Sequence, residues 1–170
     1  FKKVFFQNEF FDLLSTTFYY TFFGTIGSIV FGILAAQLVN QKFFGRTFMR
    51  SILLFPYVGP VVALAYTWEL LLDPYSGTLN NLLLNFQVIQ EPLNLLGQKY
   101  LTINFFGFDL KLRLALTTVI IFEIWRYFPL AFLFILARLQ AVPKELYEAA
   151  DVDGAGPLQK FISITLPQIM

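Results

Sequence analysis

The chain has 170 residues, of which 57% are hydrophobic and 14% are charged, and its mean hydropathy is +0.65. Soluble domains carry about 25% charged residues, so this composition excludes an ordinary soluble domain and indicates a membrane protein. A net charge of +1 with neither His nor Cys gives no sign of nucleic-acid binding, a metal centre, a disulfide or a thiol catalyst.

The first membrane span is predicted near the start of the chain. No charged residue occurs from Leu13 to Gln41, and a span needs about 20 apolar residues, which predicts a transmembrane helix over residues 16–39. Gly24, Ser28 and Gly32 recur every four residues, so we expect a small-residue face that packs closely on another helix. Because Phe1 is not an initiator Met and Lys2 and Lys3 precede no cleavable apolar core, we expect an internal part of a longer protein.

The second predicted span covers residues 51–72 and follows a basic loop. Residues 40–50 contain Lys42, Arg46 and Arg50 and no acid. The span is interrupted by Pro56-Tyr57-Val58-Gly59-Pro60, and a proline removes a backbone hydrogen bond and kinks a helix. Trp68 and Glu69 lie near its end and indicate interfacial anchoring.

A mixed polar segment over residues 73–113 separates this span from the third. A turn is predicted at Pro74 and Gly77, a short interfacial helix over residues 79–88, and a small hairpin over residues 102–112. The third span is predicted over residues 114–137. Short loops rich in Lys and Arg stay in the cytoplasm, so residues 40–50 are assigned inside and residues 73–113 outside. An odd number of spans leads us to expect at least one more.

The segment 139–166 is too densely charged to span a membrane. Pro143 suits the first turn of a helix, and Glu145 and Glu148 suit its positive N-terminal end. Leu146, Ala149 and Ala150 then form one small apolar face. Gly154 and Gly156 are predicted to break the helix and Pro157 to start another, which gives a helix, a turn and a second helix.

A spaced motif runs through this segment: Glu148-Ala149-Ala150, three residues, Gly154, nine residues, then Ile164-x-Leu166-Pro167. It resembles the cytoplasmic EAA loop in the permease subunits of binding-protein-dependent ABC importers. The resemblance implies an all-α integral membrane fold, the importer-type helical bundle with cytoplasmic coupling helices. It also implies that an ATP-binding subunit holds this loop, with the coupling residues Glu148, Ala149, Ala150, Asp153, Gly154, Ile164, Leu166 and Pro167.

Further positions are similar to the carbohydrate-importer group of these permeases, which includes maltose and glycerol phosphate permeases. They are Pro56, Pro60, Trp68, Pro74, Gly77 and Asn80, followed by the run from Ala137 to Ala155. The resemblance implies a multi-pass subunit of a bacterial or archaeal cytoplasmic (inner) membrane that imports a sugar. Its partners would be ABC ATPase subunits, which bind ATP and Mg, a second permease subunit and an extracytoplasmic solute-binding protein. The chain itself would bind no cofactor and have no catalytic or metal site.

The third span contains ionisable residues, which inside a membrane are functional hypotheses by default. Glu123 and Arg126 are three residues apart and can pair on one helix face. With Trp125 and Tyr127 they also form a candidate translocation pathway, since aromatic faces stack on sugar rings. A structural ion pair and a substrate contact both stay open.

Two other functions compete with sugar import. An ABC importer of a non-sugar solute would keep the same fold and partners. An ion-driven secondary transporter would use Glu123 as its ion site, and the segment 139–166 would be only structural. Co-purification of an ATPase would favour an ABC importer, of a sugar or of another solute, over an ion-driven transporter.

Overall fold

The computed structural model describes residues 8–41, 43–105 and 108–169. Lys42 of the basic loop and Phe106 and Gly107 of the predicted hairpin lie outside the described residues. The elements are α1 (Asn8–Asn40), α2 (Arg46–Val58), α3 (Val61–Leu72), α4 (Thr78–Asn85), β1 (Leu101–Phe105), β2 (Phe108–Leu112), α5 (Leu114–Ala141), α6 (Lys144–Val152), α7 (Pro157–Lys160), a π-helical turn (Phe161–Thr165) and α8 (Leu166–Ile169).

Two of these helices are long and apolar enough to cross a membrane, namely residues Phe10–Asn40 of α1 and all of α5. Both extend the predicted spans, because α1 begins before residue 16 and α5 continues to Ala141. The segment 139–166 therefore does not begin as a loop at Leu139, which is still helical and buried.

The predicted span 51–72 is divided into two helices, α2 and α3, which count as one span only if the bent pair is taken together. The break lies at Gly59 and Pro60, and not at Pro56, which stays inside α2 and is buried. A residue before proline avoids the helical region, so Gly59 leaves the helix. Pro60 then takes an extended conformation and caps α3.

The chain forms two compact units, each built from two separate stretches of sequence. The first contains residues up to Gly27 together with Val58–Arg126, and the second contains Ser28–Tyr57 together with residues from Tyr127 onward. In the second unit, the buried core is formed by α1 and α5 through Ala35, Ala36, Val39, Phe132, Leu136 and Leu139.

The small-residue face of α1 allows close packing at Gly32, as the sequence predicts, whereas the contact at Gly24 is an ordinary van der Waals distance. In the second unit, a Cβ on Gly32 would lie 2.7 Å from the Cβ of Ala131 and 2.9 Å from the backbone N of Phe132. In the first unit, a Cβ on Gly24 would lie 3.6 Å from the Cγ of Glu123. At Gly32 the neighbouring atoms include backbone, so any side chain there would force the helices apart.

A compact turn joins α3 to α4, and its side chains explain the spacing of Pro74, Gly77 and Asn80. The Oδ1 of Asp73 accepts hydrogen bonds from the backbone N–H of Ser76 at 2.7 Å, the hydroxyl of Ser76 at 2.8 Å and the backbone N–H of Tyr75 at 3.0 Å. These bonds, that from the backbone of Ser76 first, hold the pKa of Asp73 below its ordinary value. A Cβ on Gly77 would lie 2.7 Å from the backbone N of Asp73, so only glycine fits.

Asn80 ties this turn to the segment before the hairpin. Its side chain is completely buried. Its amide donates to the carbonyl oxygens of Leu93 at 2.9 Å and Asp73 at 3.3 Å, and its Oδ1 accepts the N–H of Leu93 at 3.0 Å. One side chain therefore fixes two stretches of chain that are 13 residues apart.

The predicted short helix and hairpin are both present in the first unit. The helix α4 covers Thr78–Asn85, and β1 pairs with β2 in an antiparallel register from Leu101↔Leu112 to Phe105↔Phe108. After the hairpin, the guanidinium of Arg113 donates to the hydroxyls of Ser15 and Thr16 at 3.3 Å and lies over the ring of Tyr19. The hairpin is thereby held to the beginning of α1.

Candidate functional site

The first part of the candidate site is α6, a nine-residue helix with no buried residue. Pro143 is its N-cap rather than its first helical residue, and Glu145 lies in the first turn, where the helix dipole favours an acid. The predicted face is accessible, because Leu146 and Ala149 are exposed and Ala150 is half-buried. Glu148 is exposed beside it. The helix therefore presents small side chains and a carboxylate outward.

The turn at Gly154 ends α6 in a defined hydrogen-bonded motif. Gly154 has a φ of +74°, which is the left-handed region that glycine tolerates best. The N–H of Ala155 donates to the carbonyl oxygen of Ala150 at 2.9 Å, and that of Gly154 donates to Asp151 at 3.1 Å. This pair of bonds is the Schellman motif, which satisfies the last carbonyl groups of a helix. Asp153, the C-cap, is exposed.

Two side-chain contacts fix the second helix against α6. The hydroxyls of Tyr147 and Thr165 are 3.0 Å apart and hydrogen-bonded, and Thr165 is buried. Lys160 forms an ion pair with Asp151. Both contacts join α6 to the segment that follows the turn. The helix–turn–helix predicted from Gly154 and Pro157 is confirmed.

The three-residue group Ile164, Leu166 and Pro167 lies at a π-helical turn, which the sequence analysis missed. The N–H of Leu166 donates to the carbonyl oxygen of Phe161, five residues back. Proline has no N–H and its ring crowds the carbonyl four residues earlier, so the wider π turn just before Pro167 accommodates it. Ile164 and Leu166 are half-buried and Pro167 is exposed. Pro167, which stands inside an apolar helical run, was the signal in the sequence from which this irregular turn could have been predicted.

Large apolar side chains on this segment remain accessible to a partner. Val152 is 89% exposed and Leu158 is 71% exposed, and Ile162 is also exposed. Exposed apolar groups rimmed by charged ones mark interaction surfaces. Like the outward face of α6, they are accessible positions for contact with a second protein.

The second part of the candidate site lies on α5. Trp125 packs on Trp68 with ring centroids 5.5 Å apart and near Phe122 at 6.2 Å, all within the first unit. In the second unit, Tyr127 packs on Tyr57 at 6.3 Å. Trp68 was predicted at a membrane interface, and neither ring pair was predicted, because partners so far apart in the chain leave no local signal.

The charged residues of this cluster are half-buried on α5. The Cγ of Glu123 is the nearest atom to the position that a Cβ on Gly24 would take, and Arg126 follows it by one turn. The structure thus places Glu123 in the same layer as Trp125, beside the small-residue face of α1. The predicted ion pair of Glu123 with Arg126 stays a prediction.

Known proteins resemble this chain over nearly its full length. The inner membrane ABC transporter permease protein YcjO of Escherichia coli K12 is 37% identical over 161 residues, which cover 95% of this chain and 51% of the relative. The trehalose/maltose transport system permease protein MalF of Thermococcus litoralis is 33% identical, with 97% and 51% covered. The sn-glycerol-3-phosphate transport system permease protein UgpA of Escherichia coli is 31% identical, with 99% and 52% covered. The chain thus spans about half the length of these relatives.

The fold also matches solved structures. The crystal structure of a bacterial ABC transporter involved in the import of the acidic polysaccharide alginate aligns with a TM-score of 0.80 at 23% identity. The alignment covers 98% of this chain and 54% of that one. The same kind of transporter in complex with an alginate pentasaccharide-bound periplasmic protein aligns with a TM-score of 0.75. The fold is therefore that of an ABC importer permease.

A family model settles the membership. The model described as the binding-protein-dependent transport system inner membrane component matches residues 28–170, which include α5 and the whole helix–turn–helix after it. The chain therefore belongs to the family of binding-protein-dependent transport system inner membrane components.

Proposed function

We propose that this chain is part of the pore-forming permease subunit of an ATP-driven importer. The observation that carries this proposal is the outward-facing α6, with its small apolar face and no residue buried by its own chain. In a family of transport components, such a surface is suited to docking a partner. The partner that we propose is an ATPase, which would supply the energy for movement of the membrane helices.

The mechanism follows from how α6 is joined to the spans. Only Val142 and Pro143 separate α6 from the end of α5 at Ala141. The hydrogen bonds at Gly154 and Tyr147 and the ion pair of Lys160 would make the helix–turn–helix move as a rigid unit. A push on α6 when an ATPase closes would therefore reach the adjoining end of α5. The result is alternating access driven by ATP held on the partner.

The assembly we propose follows the family. The partners are ABC ATPase subunits that bind ATP and Mg, a second permease subunit and an extracytoplasmic solute-binding protein. The setting is a bacterial or archaeal cytoplasmic membrane, crossed several times, with α6 inside and residues 73–113 outside. The permease names of the relatives and the periplasmic protein in complex with one solved neighbour support this proposal.

The cargo we propose is a sugar or an oligosaccharide. Relatives carry names for trehalose/maltose and sn-glycerol-3-phosphate transport. The paired rings of Trp125 on α5 and Trp68 on α3 offer flat apolar faces that stack on sugar rings. Arg126 and Glu123 add groups that hydrogen-bond to hydroxyls.

The test uses two glycines of the same turn as a matched pair. Gly154 has a left-handed backbone, whereas Gly156 is extended, and at both positions a Cβ would have no atom within 4 Å. A β-branched residue is strained only at positive φ. We therefore expect Gly154→Val to abolish uptake and ATPase pull-down in the full permease, and Gly156→Val to keep both.

Membrane abundance is measured for both variants, so that loss of insertion is distinguished from loss of coupling. Sugar uptake is measured in vesicles with ATP and, separately, with only an ion gradient. Equal uptake by the two variants, or uptake driven by the ion gradient without ATP, contradicts the proposal. The latter result would favour an ion-driven transporter.

A further inference from the structure

A large apolar cavity lies in the second unit, next to the loop that joins α1 to α2. Its volume is about 640 Å³. The walls are apolar side chains from α1, α2, α5 and the loop, among them Phe31, Leu34, Leu38, Phe43, Met49 and Phe128. Nothing in the proposed coupling mechanism uses this cavity.

The length of the cavity matches one leaflet of a membrane. It follows α1 from Phe31 to Gln41 in the loop, and ten residues of helix span about 15 Å. The hydrocarbon core of a bilayer is about 30 Å thick. Because Gln41 lies at the end of the span, the cavity reaches from the membrane interface to about the mid-plane.

Two arginines lie close in the chain to Met49, which lines the loop end of the cavity, although neither of them lines it. Residues 40–58 contain no acid. Arg46 is exposed at the start of α2, and Arg50 is one turn further on. The Nη2 of Arg50 donates a long hydrogen bond, 3.5 Å, to the carbonyl oxygen of Val39, which lines the cavity.

One hydrogen-bond donor of Arg50 has no acceptor within the part of the chain that the structure describes. This donor is its Nε, which is buried. A guanidinium offers five N–H donors in a planar fork that suits phosphate oxygens. An anionic group held at the loop would supply the acceptors that the protein does not.

We propose that this cavity holds an acyl chain of an anionic phospholipid, whose phosphate binds Arg46 and Arg50. The lipid comes from the leaflet on the side of the basic loop. Basic pockets between membrane helices are known to bind anionic headgroups.

The experiment uses the full permease in phosphatidylcholine vesicles with a trace of phosphatidylglycerol that bears a photoreactive diazirine on its acyl chain. A phosphatidylcholine probe with the same diazirine chain is the control. After illumination, adducts are located by peptide mass spectrometry. We expect the phosphatidylglycerol probe to label residues 31–53 in preference to the control probe.

Two variants separate the charge from the cavity. Arg50→Gln should reduce labelling by phosphatidylglycerol about fivefold, the factor expected for one basic residue at an anionic surface. Lys144→Gln removes one exposed charge elsewhere and should leave labelling unchanged. Leu34→Trp partly fills the cavity and should reduce labelling by either probe.

Three results would overturn the proposal. One is equal labelling of wild type by the two probes, which needs no variant and therefore stands even if Arg50→Gln fails to fold. Another is equal loss of labelling in Arg50→Gln and Lys144→Gln. The last is a benzophenone at Leu38 that captures a protein segment instead of lipid, since a protein would then occupy the cavity.

Discussion

Asn80 offers the sharpest test of the packing described above. Its side chain is fully buried and makes three hydrogen bonds, two with Leu93 and one with Asp73. Each such bond contributes about 1 kcal/mol net, so Asn80→Ala should destabilise the protein by about 2–4 kcal/mol. Asn81, the next residue, is exposed, and Asn81→Ala should stay within about 0.5 kcal/mol of wild type.

The assay is thermal unfolding of the full permease purified in a mild detergent. A loss of this size should lower the unfolding midpoint of Asn80→Ala by about 5–10 °C. Limited proteolysis should also cut Asn80→Ala faster between α4 and β1, where Leu93 loses its partner. If Asn80→Ala and Asn81→Ala unfold at the same temperature, Asn80 does not hold the two stretches together.

Three further outcomes are expected. Single cysteines at Gln41 and Gln98, in a full chain with any other cysteines removed, should react from opposite faces of the membrane; labelling of both from outside contradicts the orientation. Removal of Glu123 or Arg126 alone should lower membrane abundance more than removal of both, because one buried charge would be left uncompensated; additive losses argue against a pair. Asp73 has a lowered pKa, so its stabilising effect is complete above its unfolded pKa of about 4 and is lost as pH falls through the folded value. The difference in unfolding midpoint between wild type and Asp73→Asn should therefore shrink on acidification, and a difference that grows would contradict the hydrogen-bonded carboxylate.

The sequence predicts the parts of this fold that depend on local patterns. A charge-free run predicts α1, and its small-residue face predicts close packing, which Gly32 shows against Ala131. Gly154 and Pro157 predict the turn after α6, because glycine alone takes a left-handed backbone easily and proline starts helices well.

The remaining features depend on contacts between distant residues or on a choice between similar signals. Pro56 and Pro60 are both helix breakers, yet only Pro60, preceded by glycine, ends a helix. The pairs Trp68–Trp125 and Asn80–Leu93 join residues that no periodicity relates. Such contacts follow from tertiary packing. The sequence motif therefore singled out Asn80 but did not predict that its side chain joins the turn to Leu93.

If the surface around α6 docks on an ATPase, a crosslinker placed on that surface should capture the ATPase. Val152 and Tyr75 are matched positions, since they are 89% and 86% exposed and lie on opposite predicted sides of the membrane. Benzoylphenylalanine is placed at each in the full transporter, and adducts are identified by mass spectrometry. We expect an ATPase adduct from Val152 and none from Tyr75. No ATPase adduct from Val152, or equal adducts from both positions, would contradict this docking.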